Sequence, residues 1–436
     1  MGPPQLTTIL EILVTDIIES PALSTQSDAE PAPSTAGQPT AAPPLDSPEL
    51  REIIAEIAED ARRRRQSGGG RPELALKLIR SHRLGAVRLP IELGGAGYSK
   101  RDLYTLIIRL AEADPDVPHI LRIHWGFTED RLRLRGQESD RQWLADIADG
   151  VLYGGVSSEL TTKTVGTYNY DTTLTVDGDG FRLNGKKFYS TGSLYSDYLR
   201  VTASDESGAQ RAALIPADRE GVIHADDWDG IGQAQTGSGT TILDNVYVSS
   251  DELIRFDSPE DPSRPRGSQP QLILHAIAAG ILRAVVADAA DLLRTRSRTY
   301  VYAAAPNPTE DPQLLEVVGR LSSAAFVAEA TVLAAADAQD DAAAYAIANG
   351  AVCDHREQRA SLLAAKTKVG IEDLALKAAG DLFAVGGASA TRSSAHLDRH
   401  WRNLRTLFSH NPTPYKARVL GDHAVNGTPI PKAGFF

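Results

Sequence analysis

Residues 171–192 read DTTLTVDGDGFRLNGKKFYSTG, and the pattern of apolar and polar residues in the chain changes at this stretch. Apolar and polar residues alternate along it, as they do in a strand with one buried face. DGDG and NG are turn sequences, so the pattern predicts consecutive β-hairpins. YLRVTA, RAALIP and TTILDNVYV continue the alternation. We therefore predict a central β-domain over residues 151–255.

Helical patterns flank this β-domain on both sides. Residues 47–150 form a predicted N-terminal α-domain that begins with Ser47 as a helix N-cap and Pro48 at the first helical position. Residues 256–269, rich in Pro, Asp and Ser, form a predicted linker loop, and residues 270–436 a C-terminal α-helical bundle. The bundle starts with QLILHAIAAGILRAVVADAADLL, which is apolar on nearly every face and is expected to be a buried central helix.

The first 46 residues differ in composition from the rest of the chain. Residues 21–46 are dominated by Pro, Ala, Ser and Thr and show no apolar periodicity. Such a segment cannot bury enough apolar surface to offset the entropy of ordering it. Residues 1–46 are therefore predicted to be a disordered extension and linker.

Composition excludes several functional classes. The chain has 45 basic and 57 acidic residues, a net charge of −12, which argues against a nucleic-acid partner. The single cysteine excludes an internal disulfide and a Cys-based metal site, and no metal site is predicted. No apolar run is expected to approach the roughly 20 residues that a membrane span needs, and the N-terminus lacks the basic region of a secretory signal. We expect a cytoplasmic protein.

The order of α-domain, β-domain and α-bundle, with two local motifs, resembles the acyl-CoA dehydrogenase fold over about residues 47–435. NGKKFYSTG (184–192) looks like the strand that braces the flavin ring in that family, and YGGVSSE (153–159) is similar to its Tyr-x-x-Thr-Glu strand. The resemblance implies an α+β fold with an N-terminal helical domain, a central β-sandwich or barrel and a C-terminal helical bundle, with flavin between the last two.

The same resemblance implies which residues contact the cofactor. A reduced flavin needs a dry wall and a few hydrogen-bond donors, which a rigid strand with serine or threonine supplies. RTRSRTY (294–300) matches the place of a phosphate-binding arginine, and AVGGASA (384–390) a Gly-Gly segment that approaches the cofactor of a neighbouring subunit. A glutamine found nearby in the family is absent, so both FMN and FAD remain open. The implied cofactor-binding residues are Ser158, Phe188, Tyr189, Ser190, Thr191, Arg296, Arg298, Gly386 and Gly387.

A dehydrogenase of this fold needs a carboxylate base to remove a substrate proton. When RNLRTLFSHNPT is aligned with the family's Tyr-Glu-Gly-Thr region, Asn411 stands where many members have the glutamate. An amide cannot accept that proton at neutral pH. Because some members place the base elsewhere, a flavin dehydrogenase stays open as an alternative.

Two stretches resemble a different branch of the fold, the flavin-dependent monooxygenases typified by dibenzothiophene monooxygenase. They are WDGIGQAQTGSGTT (228–241) and RHWRNLRTLFSHNP (399–412). The branch takes reduced flavin from a separate NAD(P)H:flavin reductase and oxygenates sulfur, nitrogen or carbon through a C4a-hydroperoxyflavin formed with O2. Leu407 occupies the position at which relatives often carry a second histidine.

The resemblance implies His410 and Ser190 as catalytic residues at the reactive edge of the flavin. Imidazole can donate or accept a proton near neutral pH, which suits handling of a peroxide. His124, Trp228 and Asn411 are implied to line the substrate pocket. A purely structural alternative is open for each histidine: His410 as a helix-end residue and His124 as a packed one.

We therefore predict a two-component flavin-dependent monooxygenase, expected from the resemblance to be a homotetramer, acting on a small organic substrate. The alternatives are an acyl-CoA dehydrogenase-type flavin dehydrogenase and a non-catalytic flavin- or ligand-binding homologue. The identity of the substrate and of the oxygenated atom does not follow from the sequence.

Overall fold

The chain folds as two sets of helices joined by a β-sheet. The structure is a computed structural model that describes residues 41–133, 138–160, 170–254, 267–432 and 436. Its described helices are α1 (Pro48–Gln66), α2 (Glu73–Ser81), α3 (Lys100–Ala113), α4 (Asp116–Ile120), α5 (Arg122–Arg133), α6 (Glu138–Ala148), α7 (Ser268–Thr295), α8 (Pro312–Asn349), α9 (Asp354–Gly386), α10 (Asp398–Phe408) and α11 (Thr413–Asn426).

The β-domain is one mixed sheet. Its strands are β1 (Tyr153–Val156), β2 (Thr173–Asp177), β3 (Gly180–Lys187), β4 (Tyr198–Asp205), β5 (Gln210–Pro216), β6 (Val222–His224), β7 (Thr241–Ser249) and β8 (Leu253–Ile254). Their order across the sheet is β6-β7-β3-β2-β4-β5-β8, and β1 pairs in parallel with β4. The β2–β3 hairpin is antiparallel and turns between Asp177 and Gly180, as the DGDG sequence predicts.

The NG sequence does not form the predicted turn. Asn184 and Gly185 lie inside β3, where the register with β7 shifts between Leu183 and Gly185. The Asn184 side chain accepts a hydrogen bond from the backbone N–H of Asn245 at 2.8 Å. The irregularity is a β-bulge, which uses the same residue types as a tight turn but lets β3 continue to Lys187.

The helices of both ends share one hydrophobic core around α7. Leu103, Leu106 and Ile107 of α3 pack in the same cluster as Ile277 and Ile281 of α7. Sixteen of the 28 residues of α7 are buried, so the predicted central helix is confirmed. A separate cluster, which includes Val201 and Val246, fills the interior of the sheet.

Two helices, α7 and α8, are long and apolar enough to cross a membrane by length and composition, so the expectation that no run approaches that length is wrong. The most apolar window of α7 is 72% buried inside the protein, as in the core helix of a folded domain, and that of α8 is 28% buried. The apolarity of α7 is therefore used within the fold itself.

Packed chain begins before the predicted boundary at residue 47. Ala42 is 3% exposed, and the Tyr98 hydroxyl donates to the carbonyl of Pro43 at 2.8 Å. Arg109 donates to the carbonyl of Leu45 at 2.6 Å. Residues 41–46 are thus held on α3 by contacts that composition does not reveal. Residues 1–40 of the predicted extension lie outside the described residues.

The C-terminal end of the predicted bundle, residues 270–436, contains a final helix that was not predicted individually. This helix, α11, begins at Thr413 with Pro414 in its first turn. Proline is compatible with that position because the first backbone N–H groups of a helix need no partner within it. The turn between α10 and α11 thereby becomes a short, rigid connection that carries His410.

Candidate active site

Four segments of the chain meet at one place beside the sheet. The loop after β3 approaches the end of α4 so closely that a Cβ on Gly192 would lie 2.4 Å from the carbonyl oxygen of Ile120. The loop before β7 approaches α10 in the same way, with a Cβ on Gly232 only 2.3 Å from the carbonyl oxygen of Arg402. Only glycine permits these contacts, and Gly192 also has a φ of 81°.

The 188–193 loop is held by backbone hydrogen bonds to its neighbours. The Phe188 N–H donates to the carbonyl of Ser158 at 2.8 Å, and the Ser190 N–H donates to that of Gly239 at 3.2 Å. Tyr189, between them, has a left-handed φ of 55° and is exposed. A non-glycine residue in this conformation costs about 1–2 kcal/mol, so the loop is constrained at the predicted site.

A buried ion pair fastens the two predicted flavin-contact segments together. Lys187 Nζ lies 2.6 Å from Glu159 Oε1, with both side chains almost fully buried. Thr172 also donates to this carboxylate at 2.6 Å. Burial lowers the pKa of Lys187 to about 8, so the ammonium remains charged at neutral pH. The pair fixes Ser158 and Phe188 at the start of their loops.

Several buried polar atoms around this junction lack a partner. Ser190 is 1% exposed, and its hydroxyl has no hydrogen bond in the structure. His119 Nδ1 lies 2.8 Å from Gln233 Oε1, but His119 Nε2 and Gln233 Nε2 have no partner. Native proteins rarely leave such groups unsatisfied, so these atoms indicate a site for a polar ligand.

The turn between α10 and α11 brings His410 to α5. Arg122 Nη1 lies 3.2 Å from His410 Nε2, across 288 residues of sequence. A guanidinium can only donate, so Nε2 accepts, and the proton of the neutral ring is on Nδ1. Burial, followed by electrostatic interaction with Arg122 and His119, lowers the pKa of His410 well below 6.5. His410 is exposed in the structure. Its imidazole is neutral in this contact because a protonated Nε2 could not accept the hydrogen bond from Arg122.

Asn411, the next residue, points into the bundle. Its amide oxygen accepts from Lys368 Nζ at 2.8 Å, and its amide nitrogen donates to Gln271 at 2.5 Å. Lys368 also donates to the carbonyls of Phe408 and Asn411. Lys368 thereby ties α9 to the end of α10. The Asn411 side chain therefore stabilises the turn on which His410 lies.

Comparison with known proteins agrees with this architecture. Residues 272–414 match the family model described as acyl-CoA dehydrogenase, C-terminal domain. The chain is 31% identical to dibenzothiophene monooxygenase of Rhodococcus qingshengii over 389 residues, which is 84% of this chain and 90% of that protein.

The chain belongs to the dibenzothiophene monooxygenase family.

Members of this family are flavin-dependent monooxygenases of the acyl-CoA dehydrogenase fold, so the predicted family, fold and enzyme class are confirmed. A further relative is the probable FMNH2-dependent monooxygenase SfnC of Pseudomonas putida, which is 29% identical over 86% of this chain and 93% of that protein. The FMN-bound crystal structure of TdsC from Paenibacillus sp. A11-2 has a TM-score of 0.79 and 27% identity, covering 89% of this chain and all of that one.

Two of the predicted pocket residues of this monooxygenase, Trp228 and His124, lie at different places in the fold. Trp228 packs edge-on against Tyr189 with ring centroids 6.1 Å apart, and its indole N–H donates to the carbonyl of Gln233 at 2.9 Å. His124 is 1% exposed and accepts from the Tyr153 N–H at 3.2 Å through Nδ1. Its Nε2 has no partner, and burial lowers its pKa to about 4. The structure places Trp228 at the 188–193 loop and His124 behind β1.

The remaining predicted cofactor residues form a second cluster. Arg296 donates to the carbonyl of Val385 at 2.9 Å, and a Cβ on Gly387 would lie 3.9 Å from the Arg296 guanidinium. Gly386 is eighteen residues beyond Lys368 on α9, about 27 Å at 1.5 Å per residue. Arg298 is exposed beside this cluster. The structure therefore does not bring these residues to Ser190 and His410 of the same chain.

Two arginines of α10 form ion pairs with neighbouring carboxylates. Arg402 pairs with Asp398 at 2.6 Å and Arg405 with Glu372 at 2.9 Å. His400 is buried and lies 2.8 Å from Asp288 of α7. The contacts of Arg405 and His400 pack α10 against α9 and α7. His410, on the turn between α10 and α11, lies at the junction instead.

Sequence reasoning missed Arg122, His119, Gln233 and Lys368. Lys368 carried a detectable signal, since it falls at a buried position of α9 between Ala364 and Ile371, where a lysine requires partners. Gln233 lies within the 228–241 segment already singled out. Nothing in the local pattern marks Arg122 or His119, because their partners are far away in sequence.

Proposed function

We propose that this monooxygenase receives reduced FMN from a separate NAD(P)H:flavin reductase and transfers one oxygen atom of O2 to a small organic substrate. The reduced flavin supplies two electrons and reacts with O2 through a C4a-hydroperoxyflavin. Substrate, O2 and FMNH2 give oxygenated substrate, FMN and water, so one oxygen atom enters the product. The proposal draws on the FMNH2-dependent relative and the FMN-bound neighbour.

The observation that carries the proposal is the unsatisfied hydroxyl of buried Ser190 at the junction that His410 faces. Flavin offers ring nitrogens and carbonyl oxygens as partners for such a hydroxyl. The backbone of the constrained 188–191 segment, with Ser158, provides the rigid wall on which a planar ring can lie. The residues present therefore fit the cofactor, with Ser190 donating to it and Phe188, Tyr189 and Thr191 shaping its bed.

His410 is suited to orienting a peroxide rather than to acting as a strong acid. With Nε2 occupied by Arg122, the neutral ring carries its proton on Nδ1. That N–H can donate a hydrogen bond, whereas the low pKa disfavours an imidazolium at neutral pH. His119, Gln233 and the close-packed glycine loops restrict water at the same place. Exclusion of water limits wasteful release of peroxide.

A dehydrogenase function is less compatible with this site. Asn411 is bound to Lys368 and Gln271 and is not a base. The nearby carboxylate of Glu372 pairs with Arg405 and also accepts from Thr413. A carboxylate that is already paired is a poor acceptor for a substrate proton.

We also propose that the active enzyme is a homotetramer. The outer face of α8 exposes Leu315, Phe326 and Val327, and Phe326 is 71% exposed. An apolar stripe of this kind is typical of a protein interface. Association would also let Arg296 and the Gly386–Gly387 segment, which lie far from His410 within one chain, reach the cofactor of a neighbouring subunit.

Rapid mixing of the protein–FMNH2 complex with O2 tests the reaction. We expect an absorbing flavin–oxygen adduct that decays faster when substrate is added, with peroxide release well below that of free FMNH2. If no adduct accumulates and peroxide forms at the rate seen in free solution, oxygenation at this site loses its support. Equilibrium binding of oxidised FMN, followed by its fluorescence, separates a failure of chemistry from a failure of binding.

A further inference from the structure

Arg122 is a partly buried cation for which the described residues supply no counter-charge. It begins α5 at the junction, and among the described residues its side-chain hydrogen-bond partner is His410, at 3.2 Å. Its Nε atom is buried and has no hydrogen-bond partner. Burial alone lowers its pKa to about 10, with no carboxylate raising it, so the guanidinium remains charged at neutral pH.

Five other half-buried or buried arginines are paired with a carboxylate: Arg64 with Asp114, Arg88 with Glu129, Arg131 with Asp140, Arg219 with Glu252, and Arg399 with Asp288. Leaving a desolvated charge without compensation is costly. Arg122 at the junction has a buried Nε without a partner and no carboxylate among the described residues, which indicates that a bound molecule completes the arrangement.

The surroundings of Arg122 and His410 are positive as well. The titratable groups that act on His410 are Arg122, His119, Lys368 and Lys416, and each of them lowers its pKa. His119 is neutral at neutral pH, because burial lowers its pKa to about 3, so the positive charge comes from the arginine and the lysines. Lys368 is already engaged by carbonyl groups, and its nearest carboxylate influence is Glu372, which is bound to Arg405. The field at His410 thus favours a negatively charged ligand.

The geometry leaves part of the guanidinium for that ligand. Its Nη1 reaches His410, whose side chain is exposed, while Nε faces the protein interior. Among the described residues Nη2 donates no hydrogen bond, so it remains available to a ligand. A planar guanidinium binds forked oxygen groups, such as carboxylates, through two parallel hydrogen bonds.

We propose that Arg122 binds an anionic oxygen group, a carboxylate or a sulfinate, on the organic substrate and so holds the substrate beside His410. The inference rests on the monooxygenase function proposed above and adds the chemical class of the substrate. The phosphate of the flavin is the weaker candidate for the same guanidinium, because Arg296 and the Gly386–Gly387 segment form a separate phosphate-compatible cluster.

Binding to the FMN-loaded protein tests this inference with pairs of probes that match in shape and differ in charge. Methanesulfinate is compared with dimethyl sulfone, and acetate with acetamide, by titration calorimetry and by their effect on FMN fluorescence. We expect each anion to bind at least about tenfold more tightly than its neutral counterpart, equivalent to 1.4 kcal/mol. Arg122→Gln should abolish that preference and Arg122→Lys should retain part of it.

Arg402→Gln serves as the matched control, because it removes the same charge from an exposed side chain that pairs with Asp398, and it leaves the backbone of Arg402 unchanged. It should leave the preference for anions unchanged. Equal affinity for the charged and neutral probes in the wild-type protein would overturn the inference. So would a loss of FMN affinity in Arg122→Gln as large as the loss of anion affinity, because Arg122 would then serve the flavin. Failure of wild-type protein to bind FMN would instead count against the proposed function.

Discussion

Arg122 of α5 donates to Nε2 of His410 across 3.2 Å and joins the N-terminal helices to the turn between α10 and α11. The contact fixes the tautomer of the imidazole and disfavours its protonation. It also explains why the histidine predicted from the sequence has a defined orientation despite lying on a connection between helices.

Replacing His410 by alanine should separate chemistry from cofactor binding. We expect product formation to fall by about 100-fold or more, the usual contribution of a positioned proton-handling group, with FMN affinity changed by less than about threefold. His355→Ala, an exposed histidine at the start of α9, is the control. The measurements are coupled product formation and FMN fluorescence titration. Equal losses in both would assign His410 a structural role.

Removing the Arg122 charge should change the pH dependence of turnover. In the wild-type protein the pKa of His410 is lowered well below 6.5, so the ring stays neutral as the pH falls to 6. In Arg122→Met one cause of that lowering is lost, the pKa rises towards 6.5, and the neutral form is lost at higher pH. The rate at saturating substrate should therefore decline at a higher pH in the variant than in the wild type. Parallel profiles for the two proteins would contradict the proposed contact.

The Lys187–Glu159 pair should matter mainly for stability. Lys187→Met leaves a buried carboxylate without its cation and should lower the free energy of unfolding by about 3–5 kcal/mol. Lys187→Met combined with Glu159→Gln removes both charges and should recover much of that loss. Urea denaturation of the single and double variants measures the coupling. Strictly additive losses would show that the two side chains do not depend on each other.

The close backbone contact at Gly192 should make FMN binding and stability sensitive to an added side chain at this position. Gly192→Ala would place a methyl group 2.4 Å from the carbonyl oxygen of Ile120 at a positive φ, so the loop must shift. We expect weaker FMN binding and a lower melting temperature. Gly421→Ala, in α11 with open space around it, should instead raise stability by up to about 1 kcal/mol. If Gly192→Ala binds FMN as the wild type does, the loop does not form the cofactor bed.

Local patterns predict much of this fold. The Ser47 cap accepts the Leu50 N–H at 3.1 Å, the DGDG hairpin forms, and the uniformly apolar α7 is buried. These features depend on residues close together in sequence. The NG bulge and α11 were missed because the same residue types serve a turn or a bulge, and proline can either end a helix or begin one.

The site could be predicted only in part. The resemblance brought Ser190 and His410 to attention, and the structure places both at one junction of the fold. Arg122 and His119 could not be found from spacing, because their partners lie 288 and 114 residues away. Arg296 matches a family motif, yet the structure places it away from Ser190 and His410 of the same chain. Similarity of motif alone therefore does not locate a residue relative to the site of its own subunit.

Crystallisation of the protein with FMN is the most direct test of the account. We predict that the isoalloxazine ring lies against the 188–191 segment, with the Ser190 hydroxyl within hydrogen-bond distance of the ring and His410 facing its reactive edge. A flavin bound elsewhere, or one that leaves Ser190 unpaired and His410 turned away, would contradict the central claim.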